Sequence, residues 1–558
     1  MRALCLGLCG LVAVQCGEAA GLPEETLEQI VDTFAGNVYR RGEATGLAVA
    51  ITLRGQTYFK SYGYRDFHNQ VPGQEVNEHS IFEIGSVTKV WTTALVGETL
   101  TGGDTLTLFT ALGNLTGPLP GLQPTMQAAT LGDLASFSAG FPDVGNTGGN
   151  GGRPPISQWG VQDFVQAISA LVPTNYNLRR PAPTSLPAPY FYSDWSTGIL
   201  GLLVTNPLDA PLPANAVDVW YQAVVDRLVT PLGMEDTFLS VPGPGQAPRV
   251  VLGYEQPTAE ARVKAGGIAG VKMNTPGGRY ADGEVATVSI SQPGASGATA
   301  VAVMDGTAPN RVVRAIRVTN RGTGFREAPL VWFGGPGWGA SGQAIVRSGA
   351  VVGVQVLSGG SGFTSSPPVY FYGGHGTGAS GMGIVSNGRL VGVAMTDGGS
   401  GYAGHPSVVI SPGSNTVNVV PVWAAAGALK SSASDLVKLC QLYLGSTEIA
   451  GSTVPRALSE GAREALLPLV QNAASSPGVF TGMTWQTSTN PIQGGLNLTV
   501  SKDGALPGFA TYVTLVPAAK LGVVILRSNN QTNAGEYADP IGSVAASIAT
   551  AIQLELMP

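Results

Sequence analysis

Ser86 and Lys89 stand three residues apart in the stretch Phe82-Glu83-Ile84-Gly85-Ser86-Val87-Thr88-Lys89-Val90-Trp91. The stretch reads as a turn ending at Gly85, followed by a helix with Ser86 in its first turn. Residues i and i+3 share a helix face, so the amine can reach the hydroxyl. Serine is a weak nucleophile until a neighbour takes its proton. Lysine takes it only when burial or a nearby cation lowers its pKa. The apolar run Val90, Trp91, Ala94, Leu95 and Val96 would seat the helix in a core. The helix N-terminus would offer backbone N–H groups to an oxyanion. About two Ser-x-x-Lys matches are expected by chance in a chain this long. The weight of the pair therefore depends on its company.

The surrounding elements read as follows. Leu22 to Arg40 has helical apolar spacing through Leu27, Ile30, Val31, Phe34 and Val38. Thr45 to Leu53 reads as a buried strand, turned by Arg54-Gly55 into a second strand over Gln56 to Tyr64. Thr130 to Asp143 reads as a helix breaking into a loop. Val161 to Leu171 and Val217 to Leu228 read as helices. A proline-rich approach, Pro181 to Pro189, leads to Tyr190-Phe191-Tyr192-Ser193-Asp194-Trp195-Ser196-Thr197-Gly198. Near the end, strands are expected over Val500 to Asp503, Phe509 to Val516 and Leu521 to Arg527. A closing helix follows over Asp539 to Leu554, with Pro540 suited to its first turn.

The 558 residues leave room for more than one domain. Charged residues make up 12% and the formal net charge is −6, with no basic patch to suggest nucleic acid. Met1-Arg2, the apolar run Ala3 to Val14 and the small residues up to Ala20 read as a signal peptide, which implies a secreted or periplasmic protein. No apolar run of 18 or more residues suggests a transmembrane segment. Cys5, Cys9 and Cys16 fall in that leader, so the mature chain keeps only Cys440, in an apolar helical pattern that reads as core. His68, His79, His375 and His405 show no metal-ligand spacing, and no cofactor is expected.

From about 266 to 413 the texture changes, and 34 of the 78 glycines fall there. Gly322-Thr323-Gly324-Phe325, Gly360-Ser361-Gly362-Phe363 and Gly399-Ser400-Gly401-Tyr402 recur 38 and 39 residues apart. A Gly-Ala-Ser-Gly motif recurs at Gly294, Gly339 and Gly378. The segment reads as an all-β repeat of about three and a half units. Gly-x-Gly-x-x-Gly spacings begin at Gly337, Gly376 and Gly399, but β-type alternation follows them instead of the helix that a dinucleotide site needs.

Taken together, the motifs resemble the serine β-lactamase/penicillin-binding-protein-like family, on its class C and esterase side. Ser86-Val87-Thr88-Lys89 matches the nucleophile motif. Tyr192-Ser193-Asp194 matches Tyr-x-Asn, and Lys502-Asp503-Gly504 matches Lys-Thr-Gly. Pro231 to Met234 with Thr237, and Lys430-Ser431-Ser432 with Asp435, match further landmarks in the right order, over roughly 22–260 and 420–555. The resemblance implies an α/β (α+β) fold: an antiparallel sheet flanked by helices plus a helical subdomain, with the glycine-rich β repeat inserted. It divides the chain into a leader (1–20), a first part of the domain (21–265), the insert (266–416) and a second part (417–558).

The resemblance also assigns roles. Ser86 would be the nucleophile and Lys89 the proton acceptor. Tyr192 would shuttle the proton. Lys502 would keep the Tyr192 pKa low or bind a substrate carboxylate. The N–H groups of Ser86 and Ala505, after Gly504, would form the oxyanion hole. The implied substrate is a small ester, amide or lactam, in a carboxylesterase, a class C-type β-lactamase or a D-Ala peptidase. The sequence departs from the family at Asp194, where asparagine is usual, and at Asp503, where threonine is usual. Each puts a carboxylate near the lysines, where it would oppose a penicillin-type carboxylate, so carboxylate-free esters or amides are the expected substrates. Phe137 stands where histidine is frequent and reads as packing. The insert would shape the entrance or hold the enzyme to a surface or polymer. The competing reading is a catalytically silent binding protein on the same scaffold, and the intact Ser, Lys, Tyr, Lys set argues against it.

Overall fold

The computed structural model describes residues 21–40, 44–65, 72–103, 106–143, 160–170, 190–239, 249–251, 423–472, 479–492, 495–506, 508–528 and 540–557. Within the β-rich middle it describes 257–264, 267–276, 287–291, 296–306, 312–323, 330–334, 338–361, 363, 366–372, 377–387, 389–401 and 407–410. The expected leader, the approach at 181–189, and His68, His375 and His405 lie outside the described residues.

An eight-stranded antiparallel sheet joins the two ends of the chain. Its strand order is Val470–Gln471, Val479–Thr481, Gln486–Ile492, Gly495–Leu506, Phe509–Val516, Leu521–Ser528, Gly46–Leu53 and Gln56–Gly63. The Arg54-Gly55 turn has positive φ at both residues, 52° and 88°, the twist that a two-residue hairpin requires. Leu47, Val49 and Ile51 face the helices Glu24–Arg40 and Pro540–Glu555 and share a core with Val31, Val523, Ile525 and Ile548. Ala48 and Ala50 face the other way, toward the core that holds Trp91, Leu436 and Trp485. Helices on both faces explain why all eight residues of Gly46–Leu53 are buried.

The helix Thr88–Thr101 runs through that second core and is buried on nearly every side. It meets the helix Arg456–Glu464 at a glycine-to-glycine contact, where a β-carbon on Gly461 would lie 2.1 Å from the Gly97 carbonyl carbon. Val161–Ser169, Asp194–Thr205 and Ala216–Val224 build the helical side, with Phe164 packed edge-on against Trp195 at 5.4 Å between ring centroids.

The middle of the chain forms two six-stranded sheets. One contains the hairpins Pro257–Lys264 with Gly267–Pro276 and Ser296–Asp305 with Val312–Thr323, plus the short strands Thr287–Ser291 and Leu330–Gly334. The other contains Trp338–Arg347 with Ala350–Ser361 and Thr377–Ser386 with Arg389–Ser400, plus Pro368–Tyr372 and Ser407–Ile410. Each hairpin carries two register shifts with the same spacing: after Thr258 and Arg262, Thr299 and Val303, Ser341 and Ile345, and Ser380 and Ile384. The bulges thus recur at matching positions in these four hairpins of the described residues. The outer strands of each sheet pack on one another, and in the second sheet Gly359 faces the Leu390 carbonyl while Gly398 faces that of Val351.

Two details differ from the sequence reading. The first sheet takes in Pro257–Lys264, ahead of residue 266, and the described residues form four such hairpins. The first hairpin carries Glu260 and Arg262 where the later ones carry Val301 and Val303, Gln343 and Ile345, and Met382 and Ile384, so its kinship is masked in sequence.

Candidate active site

Gly85 has a φ of 51°, and the chain passes from it through a 3-10 turn, Gly85–Val87, into the helix that starts at Thr88. Ser86 therefore sits on the turn, two residues before the α-helix begins instead of in its first turn, with its hydroxyl at the foot of the helix. Lys89 is completely buried. Its Nζ lies 3.0 Å from Ser86 Oγ and 2.8 Å from the Ala426 carbonyl oxygen, and it also contacts Asp194 Oδ1. A neutral amine has two N–H groups and one lone pair. The Asp194 and Ala426 oxygens accept both N–H groups, which leaves the lone pair for the Ser86 hydroxyl.

The Tyr192 hydroxyl donates to Ser86 Oγ at 2.6 Å. Lys89 Nζ lies 4.8 Å and Lys502 Nζ 5.4 Å from the centroid of the Tyr192 ring. Phe137 packs against the same ring at 5.0 Å between centroids, in keeping with a packing role. Ser86, Lys89, Tyr192 and Lys502 thus converge from three distant parts of the chain.

Burial lowers the pKa of Lys89, and Lys502 adds to this, while Asp194 and Asp143 oppose it; the balance lies below the ordinary lysine value. Tyr192 is pushed well above the ordinary phenol value, first by burial and then by the charges of Asp194 and Asp503. This corrects the expectation that Lys502 would keep the phenol low. The physical reason is that Lys502 donates at 2.7 Å to Asp503 Oδ1 and at 2.8 Å to the Asp503 carbonyl, so its charge is locally matched. Desolvation raises the Asp503 carboxyl, and the Lys502 charge and hydrogen bond outweigh it, leaving it below the usual carboxylate range.

The strand Gly495–Leu506 passes close to the Ser86 turn. A β-carbon on Gly504 would lie 2.1 Å from the Ile84 carbonyl oxygen and 3.1 Å from the Ser86 nitrogen. One on Gly85 would lie 2.8 Å from the Ala505 nitrogen. Two facing glycines therefore let the strand that carries Ala505 approach the Ser86 turn closely, as an oxyanion hole built from these two N–H groups would require.

Sequence reasoning missed two groups. Asp143 is buried, accepts the Asp194 N–H at 3.4 Å, and belongs to no motif. Ala426 contributes only its carbonyl, which no side-chain pattern can reveal. It reaches Lys89 because the segment after the β sheets is stitched to the catalytic turn. Ile84 N–H donates to the Leu429 carbonyl at 3.1 Å, Leu429 N–H to Thr88 Oγ1 at 3.1 Å, and Thr92 Oγ1 to the Ala425 carbonyl at 2.6 Å.

The other landmarks act as structural ties. Thr237 Oγ1 lies 2.9 Å from Ser431 Oγ and donates to Asp435 Oδ2 at 2.9 Å, while Asp236 N–H donates to Asp435 at 2.7 Å. Cys440 is buried. Among the described residues no group of three or more His, Cys, Asp or Glu could hold a metal ion, and no helix is long and apolar enough to cross a membrane.

A serine flanked by a buried lysine and a tyrosine, between an antiparallel sheet and a helical lobe, defines a serine acyl-transfer type of site. A family model described as Beta-lactamase matches residues 27–407 and 394–546, and the chain belongs to that family. It is similar to a "Beta-lactamase" of Pseudomonas fluorescens, 25% identical over 264 residues, covering 45% of this chain and 62% of the relative. A "Beta-lactamase" of Escherichia coli K12 is 25% identical over 255 residues, covering 45% of this chain and 57% of the relative. The matched part of the chain thus spans less than two thirds of these relatives. The crystal structure of a "Beta-Lactamase/D-Alanine Carboxypeptidase" from Pseudomonas syringae shares the fold, with a TM-score of 0.52 and 16% identity over 95% of this chain and 99% of that one.

Proposed function

We propose that the chain is an exported serine hydrolase that forms an acyl-enzyme at Ser86 and acts on esters or amides without a carboxylate beside the scissile carbonyl. The observation that carries this reading is the placement of Lys89 Nζ and Tyr192 Oη at 3.0 Å and 2.6 Å from Ser86 Oγ. Neutral Lys89 takes the Ser86 proton as Oγ attacks the carbonyl carbon. The oxyanion forms against the N–H groups of Ser86 and Ala505. Tyr192, a neutral phenol in the resting enzyme, passes its proton to the leaving group and is reprotonated from Lys89. In deacylation the same pair takes a proton from water, and Ser86 leaves with a proton returned to it.

The carboxylates at Asp194 and Asp503 support the restriction on substrate, since each replaces a neutral side chain usual in the family. The test compares kcat/KM for nitrocefin with that for short p-nitrophenyl esters. Faster ester cleavage supports the reading, and faster nitrocefin cleavage overturns the restriction. The names of the relatives favour a second reading, hydrolysis of β-lactams or D-alanyl amides, which the nitrocefin result would select. We further propose that the β repeats shape the entrance or hold the enzyme to a surface. Deleting 257–410 and finding unchanged kinetics on small and large substrates would remove that role.

A further inference from the structure

This inference rests on the acyl-hydrolase reading and narrows its substrate. It starts from the Lys502–Asp503 pair. The Lys502 side chain is 2% exposed, and its ammonium is engaged by two oxygens of Asp503. The Asp503 side chain is 47% exposed. The cation is therefore turned inward, and the face shown to solvent is the carboxylate.

The backbone puts that carboxylate beside the reaction. Gly495–Leu506 pairs with Gln486–Ile492 only as far as Ser501, while its pairing with Phe509–Val516 continues through Leu506. Beyond Ser501 one strand edge lies against the Ser86 turn instead of another strand. Asp503 sits on this stretch, two residues before Ala505. Its charge is felt at Tyr190 and Tyr192, and the Lys89 charge is felt at Asp503. In the working form Lys89 is neutral, and of the Lys502–Asp503 pair it is the carboxylate that the cleft shows. A substrate cation is drawn to such a cleft and a substrate anion is repelled.

We propose that Asp503 is a specificity-determining residue that selects substrates bearing a cationic group, such as an ammonium, a few bonds from the scissile carbonyl. The group takes the place that a carboxylate would occupy if the lysine of this motif were open to the cleft. Because Asp503 is half exposed, the preference is moderate, about five- to tenfold.

The experiment uses three p-nitrophenyl esters on the full chain: that of trimethylammoniobutyrate, its neutral tert-butyl isostere, and the monoester of glutarate. The isosteres have the same shape, so their ratio reads charge alone. The expected order of kcat/KM is cation, neutral, anion, with the difference chiefly in KM and shrinking as salt is added. Asp503→Asn and Asp503→Thr should erase the advantage of the cation and raise the relative rate of the anion. Ratios within one variant do not depend on how much of it folds. A neutral isostere as good as the cation in the wild type, or an unchanged ratio in Asp503→Asn, overturns the proposal and leaves the hydrolase standing. Failure of all three esters together with failure of a fluorophosphonate to label Ser86 removes the hydrolase reading, and this proposal with it.

Discussion

In the proposed reaction Lys89 works as a base because it is buried, and Asp194 sets how far that effect goes. Burial lowers its pKa while the Asp194 carboxylate raises it. Only the neutral amine can accept the Ser86 proton, so kcat/KM rises with pH through the Lys89 pKa, below the ordinary lysine value. Replacing Asp194 by Asn removes an opposing charge and lowers that pKa further. The rising limb of the pH profile should therefore move to lower pH in Asp194→Asn, and a limb that stays put or moves up contradicts the assignment of Lys89 as base. Tyr192→Phe removes the proton donor to the leaving group and should lower kcat by about two to four orders of magnitude, measured on a neutral p-nitrophenyl ester. These four residues were legible in the sequence because acyl transfer constrains side-chain type at short, ordered spacings. Asp143 was not, since a lone aspartate in a loop carries no pattern. The direction of the Tyr192 shift was misread because the motif shows Lys502 but not its hydrogen bond to Asp503.

Between elements, glycine sets the approach of the strand Gly495–Leu506 to the Ser86 turn. A β-carbon on Gly504 would meet the Ile84 carbonyl oxygen at 2.1 Å, backbone that cannot rotate away. Gly504→Ala should push the strand off the turn and separate the Ser86 and Ala505 nitrogens. A misplacement of about 1 Å costs on the order of a hundredfold in rate. The expected result is a loss of kcat of that size with a much smaller change in thermal midpoint, and full activity would show that the contact does not position the site. The strands and helices of the sheet were readable from their apolar periods, including the Arg54-Gly55 hairpin. The beginning of the β segment was not, because Pro257–Lys264 keeps the bulge positions of the later hairpins but carries Glu260 and Arg262 where they carry Val301 and Val303, Gln343 and Ile345, or Met382 and Ile384. Backbone geometry persists there where the sequence signature has gone.

At the scale of the molecule, the two six-stranded sheets of the described residues fall in the chain between Val251 and Trp423. Both junctions are tied to the strand before Ser86: Ile81 N–H donates to the Arg249 carbonyl at 2.9 Å, and Lys430–Ser431 pairs with Phe82–Glu83. The core beneath is closed by the Gly97–Gly461 contact. Gly461→Ala overpacks it and should cost about 1–3 kcal/mol of stability, read as a lower thermal midpoint, whereas an unchanged midpoint would mean that the helices part without cost.

Mass-spectrometric mapping of a fluorophosphonate adduct on the intact chain bears hardest on the convergence of Ser86, Lys89 and Tyr192. A single adduct should appear on the Ser86 peptide, form faster as pH rises, slow by orders of magnitude in Lys89→Met, and vanish in Ser86→Ala. An adduct on another residue, or labelling of Ser86 at the same rate without Lys89, would show that these groups do not form one catalytic unit.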